Sequence, residues 1–143
     1  MRALRVHGHI VNISSTAALA EPTQVYGATK WAVNGISRML RKELENDTIP
    51  VVNIRPGATV TNFARNFPPD FVQGIAAMVG IKADFKPGAH LPPEIPEQVV
   101  AAAKPILAGP DDVASAVLYA LSQPIELNVF EMVVRPQKQL SLA

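Results

Sequence analysis

Apolar positions along the chain switch between two rhythms, one of continuous β-branched runs and one of three- and four-residue steps. His9-Ile10-Val11-Asn12-Ile13-Ser14-Ser15 is a short apolar run closed by two hydroxyls and predicts a strand at about 9–14. From Gln24 to Asn46, Val25, Ala28, Ala32, Val33, Ile36, Met39, Leu40 and Leu44 recur at helical spacing. Thr23 is the expected N-cap, and Asn46-Asp47 the stop ahead of Pro50. Val51-Val52-Asn53-Ile54 then predicts a second strand, at about 51–55, closed by Pro56-Gly57. Both strands are mostly apolar rather than alternating, as in a parallel sheet covered on both faces. Strand, helix and strand in that order make a βαβ unit. Pro110-Asp111-Asp112 opens a further helix, with acids at its positive end and Val113, Ala114, Val117, Leu118 and Leu121 expected on one face. A third strand is expected at about 128–134, and Lys138 to Ala143 reads as a tail. The fold class is therefore α/β, a doubly wound parallel sheet.

The segment at about 62–108 departs from this order. Eight of the 13 prolines lie between Pro68 and Pro110, with short helices expected at Phe71 to Val79 and Pro96 to Leu107. A long irregular insertion in a compact domain is usually a lid or a binding loop.

Composition narrows the function classes. The 143 residues suffice for one domain with a real core. With 48% hydrophobic and 17% charged residues, the chain is not a disordered tail. A formal net charge of +1 argues against nucleic acid as a partner. Polar residues or proline interrupt every apolar segment, which argues against a membrane span, and Met1 to His9 lacks the apolar stretch of a signal peptide. The absence of cysteine excludes disulfides, thiolate metal sites and a cysteine nucleophile, and suits a cytoplasmic setting. His7 and His9 have no acidic partner at helical spacing, so no metal site is expected. Lys82, Lys86 and His90 read as a solvated loop.

The chemistry concentrates on one helix. Tyr26 and Lys30 are four residues apart and share a face. A phenol is a poor base at neutral pH, and a neighbouring ammonium favours its phenolate and makes it usable as a general acid or base. With two tyrosines and six lysines in the chain, about 0.08 such pairs arise by chance, so the spacing needs context. Ser14-Ser15 and Pro56-Gly57 supply it, because each ends a predicted strand. Ligands of open parallel sheets bind at the carboxyl ends of strands. The plainer readings are a half-buried tyrosine beside a solvated lysine, and serines in an ordinary turn.

Taken in order, Gly8 to Ser15, Tyr26-Gly27-Ala28-Thr29-Lys30, Arg55-Pro56-Gly57-Ala58-Thr59-Val60-Thr61 and Asp111 to Val117 resemble the short-chain dehydrogenase/reductase family. The likeness runs from Met1 to Pro136, with the proline-rich middle matching the family's variable substrate loop. It implies a Rossmann-like fold and an oxidoreductase that uses NADP or NAD to move hydride to or from an alcohol or carbonyl substrate. By the same resemblance Tyr26 is the acid/base, Lys30 favours its phenolate and binds the nicotinamide ribose, and Ser15 holds the substrate oxygen, with Ser14 as the alternative. Pro56, Gly57, Val60 and Thr61 would seat the nicotinamide.

The family's Gly-rich pyrophosphate turn has no counterpart, since the eight glycines, at 8, 27, 35, 57, 74, 80, 88 and 109, never cluster. Residues 1–143 are thus expected to be the C-terminal half of one such domain, binding NAD(P) feebly and turning over little by themselves. The rival expectation is a non-catalytic fragment or pseudoenzyme acting through protein association, with a homo-oligomer formed through the 24–46 helix.

Overall fold

The computed structural model describes residues 1–4, 7–21, 24–82, 85–92 and 94–138. They form two compact units, residues 1–57 with 113–134, and residues 58–112 with 135 onward. Thr23, the expected cap, and residues 139–143 of the expected tail lie outside the described residues.

The first unit is built on a parallel sheet of three strands, β1 (Ile10–Ile13), β2 (Val51–Pro56) and β3 (Glu131–Val134), in the order β1-β2-β3. Ile10 pairs with Val51 and Ile13 with Ile54 on one side of β2; Asn53 pairs with Glu131 and Pro56 with Val134 on the other. Only β2 is buried along most of its length, from Val51 to Ile54. Its side chains alternate between two layers. Val51 joins Ile10, Leu40, Leu44 and Ile49 on the side of helix α1 (Val25–Glu43). Val52 and Ile54 join Val11, Val113, Val117 and Ala120 on the side of helix α4 (Pro110–Leu121). β3 is held electrostatically as well: Arg55 contacts Glu131 at 2.7 Å, and Arg41 donates to the carbonyls of Val51 and Phe130 at 3.0 and 2.9 Å.

The expected face of the last helix is corrected, and on α1 the apolar period does not mark the buried face. On α1 the buried residues are Gly27, Asn34 and Ser37, while Val25, Ile36 and Met39 are exposed. The layer beneath α1 presents Asn12, Asn53 and Ser14, so the helix turns a polar stripe inward to satisfy them. On α4 the inner stripe is Val113, Ala116, Val117 and Ala120, and Leu118 and Leu121 are exposed. Small residues at 116 and 120 let the helix lie close to the sheet.

The second unit folds around Val60, Ile95, Val99, Ala103 and Leu107. Ile95, Val99 and Ala103 are one apolar face of helix α3 (Glu94–Ala103), at four-residue spacing. Helix α2 (Pro69–Met78) starts with proline at its first position and stops at Gly80, whose φ of 75° suits glycine. There Gly80 and Ile81 donate to the carbonyls of Ala77 and Ala76, closing the end in a Schellman motif. A bridge of Thr59 with Ala108 draws together the two chain segments that leave this unit. Asp112 accepts from the Gly109 N–H at 2.8 Å, a capping contact at the start of α4.

Candidate active site at the strand ends

β1 stops at Ile13 because the following serines turn their hydroxyls to local partners. Ser14 still extends the ladder, donating its N–H to the Ile54 carbonyl at 2.7 Å. Its hydroxyl lies 2.7 Å from Asn34 Oδ1 and 3.0 Å from the Lys30 carbonyl. One hydroxyl carries one proton, so both contacts draw on the same donor. Asn34 is the hub of this buried cluster. Its Oδ1 also accepts from Asn53 Nδ2 at 2.9 Å, and its Nδ2 donates to the Ala18 carbonyl at 3.0 Å. One turn further on, Asn12 donates to Ser37 at 3.0 Å, and Ser37 to the Val33 carbonyl at 2.8 Å.

Ser15 is used differently. Its hydroxyl accepts from the Ala17 N–H at 3.1 Å and caps the 3-10 turn Thr16–Ala18. Among the described residues no acceptor takes its hydroxyl proton. Lys30 reaches back from α1 to the strand end, its Nζ donating to the Ile13 carbonyl at 3.0 Å. The same ammonium lies 5.9 Å from the centroid of the Tyr26 ring, and Tyr26 is 39% exposed. Tyr26, Lys30, Asn34, Ser37 and Arg41 therefore form one stripe of α1, the first two at the carboxyl edge of the sheet and the next two buried beneath it. Pro56 ends the adjacent strand at that edge, and the Gly57 N–H donates to the Val134 carbonyl at 2.8 Å.

Of the residues predicted from sequence, Ser14, Ser15, Tyr26, Lys30, Pro56 and Gly57 belong to the first unit. Val60 and Thr61 belong to the second, where the Val60 N–H donates to the Ala108 carbonyl at 2.9 Å and the Thr61 hydroxyl caps a 3-10 helix at Asn62–Asn66. Sequence reasoning passed over Asn34 and Asn53. The available signal was polar: an asparagine inside an otherwise apolar strand needs a partner, and Asn34 lies one turn beyond Lys30. Among the described residues no group of three or more His, Asp or Glu side chains could hold a metal, and no helix is long and apolar enough to cross a membrane.

Comparison with known proteins adds a family and a scaffold. Residues 1–70 match the family model described as short chain dehydrogenase. An uncharacterized oxidoreductase of Staphylococcus aureus (strain MRSA252) is 32% identical over 131 residues, which is 90% of this chain and 42% of the relative. One from Staphylococcus epidermidis is 31% identical over 132 residues, again 90% of this chain and 43% of the relative. The chain thus spans less than half the length of these relatives. Among solved structures, the closed form of a serine dehydrogenase complexed with NADP+ superposes with a TM-score of 0.65 at 26% identity, covering 96% of this chain and 47% of the other. Serine dehydrogenase from Escherichia coli gives a TM-score of 0.56 at 26% identity, with 94% and 42% covered.

Proposed function

The chain belongs to the short-chain dehydrogenase/reductase family, and from that premise we propose that it carries the nicotinamide-facing part of an NAD(P)-dependent oxidoreductase site acting on a small alcohol or carbonyl compound. The observation that carries the reading is the Lys30 contact to the Ile13 carbonyl, with Tyr26 one helical turn away at the open end of a parallel sheet. An ammonium has three N–H donors. With one on Ile13, the others suit the hydroxyls of a ribose, so this donor set fits the cofactor. The cofactor, when bound, supplies or accepts the hydride. Tyr26 holds the proton exchanged with the substrate oxygen, and Lys30 holds the ribose one helical turn away. Ser15 donates its hydroxyl proton to the same substrate oxygen as negative charge develops there. Ser14 is the weaker choice for that role because Asn34 and Lys30 draw on its hydroxyl. On this reading the chain works in the reducing cytoplasm, which its cysteine-free sequence suits.

The test is binding of reduced nicotinamide mononucleotide, followed by ligand-observed NMR, with Lys30→Met as the variant. Saturable binding near ~1 mM, weakened about tenfold in the variant, is the expected result. Binding that Lys30→Met leaves unchanged would remove the basis of the proposal.

A second reading rests on a separate observation. Val25, Ile36 and Met39 are 83%, 54% and 68% exposed along one stripe of α1. We propose that a second copy of this chain covers that stripe, which makes association compatible with either an active or an inactive site.

A further inference from the structure

Within the second unit, the 3-10 helix Asn62–Asn66 and the loop at 85–92 line an open-mouthed cavity of about 210 Å3. Taking ~30 Å3 per water, that is room for about seven waters, enough for a compact organic ligand. Its walls are of two kinds. Phe67, Val72 and Phe85 supply an apolar body, while Arg65, Lys86 and His90 supply cationic and hydrogen-bonding groups. Among the described residues that line it, none is acidic.

The cavity is stitched by specific contacts rather than left as a gap. Arg65 Nη1 lies 3.2 Å from His90 Nε2; a guanidinium only donates, so Nε2 is the acceptor. The Leu91 N–H donates to Asn62 Oδ1 at 3.1 Å and ties the loop to the 3-10 helix. Lys86-Pro87-Gly88-Ala89 is a tight turn, closed by the Ala89 N–H on the Lys86 carbonyl at 3.1 Å, with Gly88 at φ 71°. Proline before a positive-φ glycine is the type II arrangement, and it presets the chain on both sides of the mouth. Phe67 is braced by Phe63 and Phe71, at ring separations of 5.6 and 5.3 Å. Lys86 has no ion pair among the described residues.

We propose that this cavity binds a carboxylate carried on a small apolar body, the carboxylate meeting Arg65 and Lys86 and the apolar part lying against Phe67, Val72 and Phe85. Planar, bidentate recognition of a carboxylate is what a guanidinium does best. Inorganic phosphate would satisfy the cations but leave the aromatic walls without a partner. The site goes beyond the oxidoreductase reading and does not depend on it, because binding here needs neither cofactor nor turnover.

The probe is 3-phenylpropionate, titrated into the whole chain and followed by two-dimensional NMR at the backbone amides of Arg65, Phe67, Lys86 and His90. Its uncharged isostere 3-phenylpropionamide, inorganic phosphate and the variants Arg65→Gln and Lys86→Gln complete the set. Lys82→Gln, exposed on the same segment but outside the lining, serves as the control. The expected result is saturation at or below about 1 mM for the acid, with about tenfold weaker binding of the amide, of phosphate and by the Arg65 variant, and no change with Lys82→Gln. No saturation by about 1 mM, or a loss under about threefold for the amide, for phosphate or with Arg65→Gln, would overturn the proposal.

Discussion

Ser14 and Ser15 are neighbours, both are buried, and a sequence motif cannot choose between them, yet the geometry gives their hydroxyls opposite duties. Ser14 is 3% exposed, and its proton is spent inside the Asn34 cluster. Removing that hydroxyl withdraws one of the two donors to the buried Asn34 Oδ1, which keeps Asn53, and loses the contact to the Lys30 carbonyl as well, at a cost of about 1.5 kcal/mol. Ser15 gives up only the cap of a short turn, typically ~1 kcal/mol. Ser14→Ala is therefore expected to lower the denaturation midpoint more than Ser15→Ala, and Asn34→Ala more than either, since it removes the partner of Asn53 Nδ2 and of the Ala18 carbonyl together. In a turnover assay the order should reverse, with Ser15→Ala the more damaging of the two serine variants. Chemical denaturation and turnover measured on the same preparations separate the two roles; a larger stability loss in Ser15→Ala would reverse the assignment. The hub itself was half legible. Asn12 and Asn53 stand out in apolar strands, but nothing in the spacing of residues 14, 34 and 53 says that they meet.

Helix α1 shows the same limit at the scale of an element. Its apolar period locates the helix to within a few residues, because any stripe of three- and four-residue steps reports a helix. The period does not say which stripe faces the sheet. That depends on the partner surface, and here Asn12, Ser14 and Asn53 make it polar at the positions the helix covers. Leu40 and Leu44 still enter the core near the helix end, where the sheet offers Ile10 and Val51. Val25, Ile36 and Met39 are left outward on one stripe of the helix, the stripe that the second reading assigns to association. Replacing Ile36 and Met39 by Gln should then shift the chain to a smaller species in size-exclusion chromatography with light scattering. Exposed substitutions of this kind usually change stability by less than about 0.5 kcal/mol, so unfolding should hardly move. If the double variant unfolds early while its size is unchanged, the stripe is core to the single chain and the second reading fails. The strand ends were legible from order alone, since hydroxyls and a Pro-Gly turn closed two apolar runs. The Arg65–His90 contact was not, because its partners are 25 residues apart in a segment without periodicity.

For the molecule as a whole, the question is how much of a dinucleotide this chain can hold. On the proposed reading the first unit meets the cofactor through a lysine, a tyrosine and a serine near the carboxyl edge of β1 and β2, all toward its nicotinamide end. Pyrophosphate recognition calls for a Gly-rich turn leading into a helix N-terminus. The eight glycines are scattered, and the two with positive φ, Gly80 and Gly88, sit in loops of the second unit rather than after a strand. The curated relatives carry more than twice the length that this chain spans. If only the nicotinamide end has partners, the adenine half of the dinucleotide adds little to affinity. NADPH and reduced nicotinamide mononucleotide should then bind this chain within about threefold of each other, both near ~1 mM, which corresponds to only about −4 kcal/mol. Isothermal titration with the two ligands in parallel makes the comparison directly. A hundredfold advantage for NADPH, about 2.7 kcal/mol, would mean that groups on this chain reach the pyrophosphate or adenine after all. It would move the chain from a partial site to a cofactor-competent one, and the expectation of feeble turnover would fall with it.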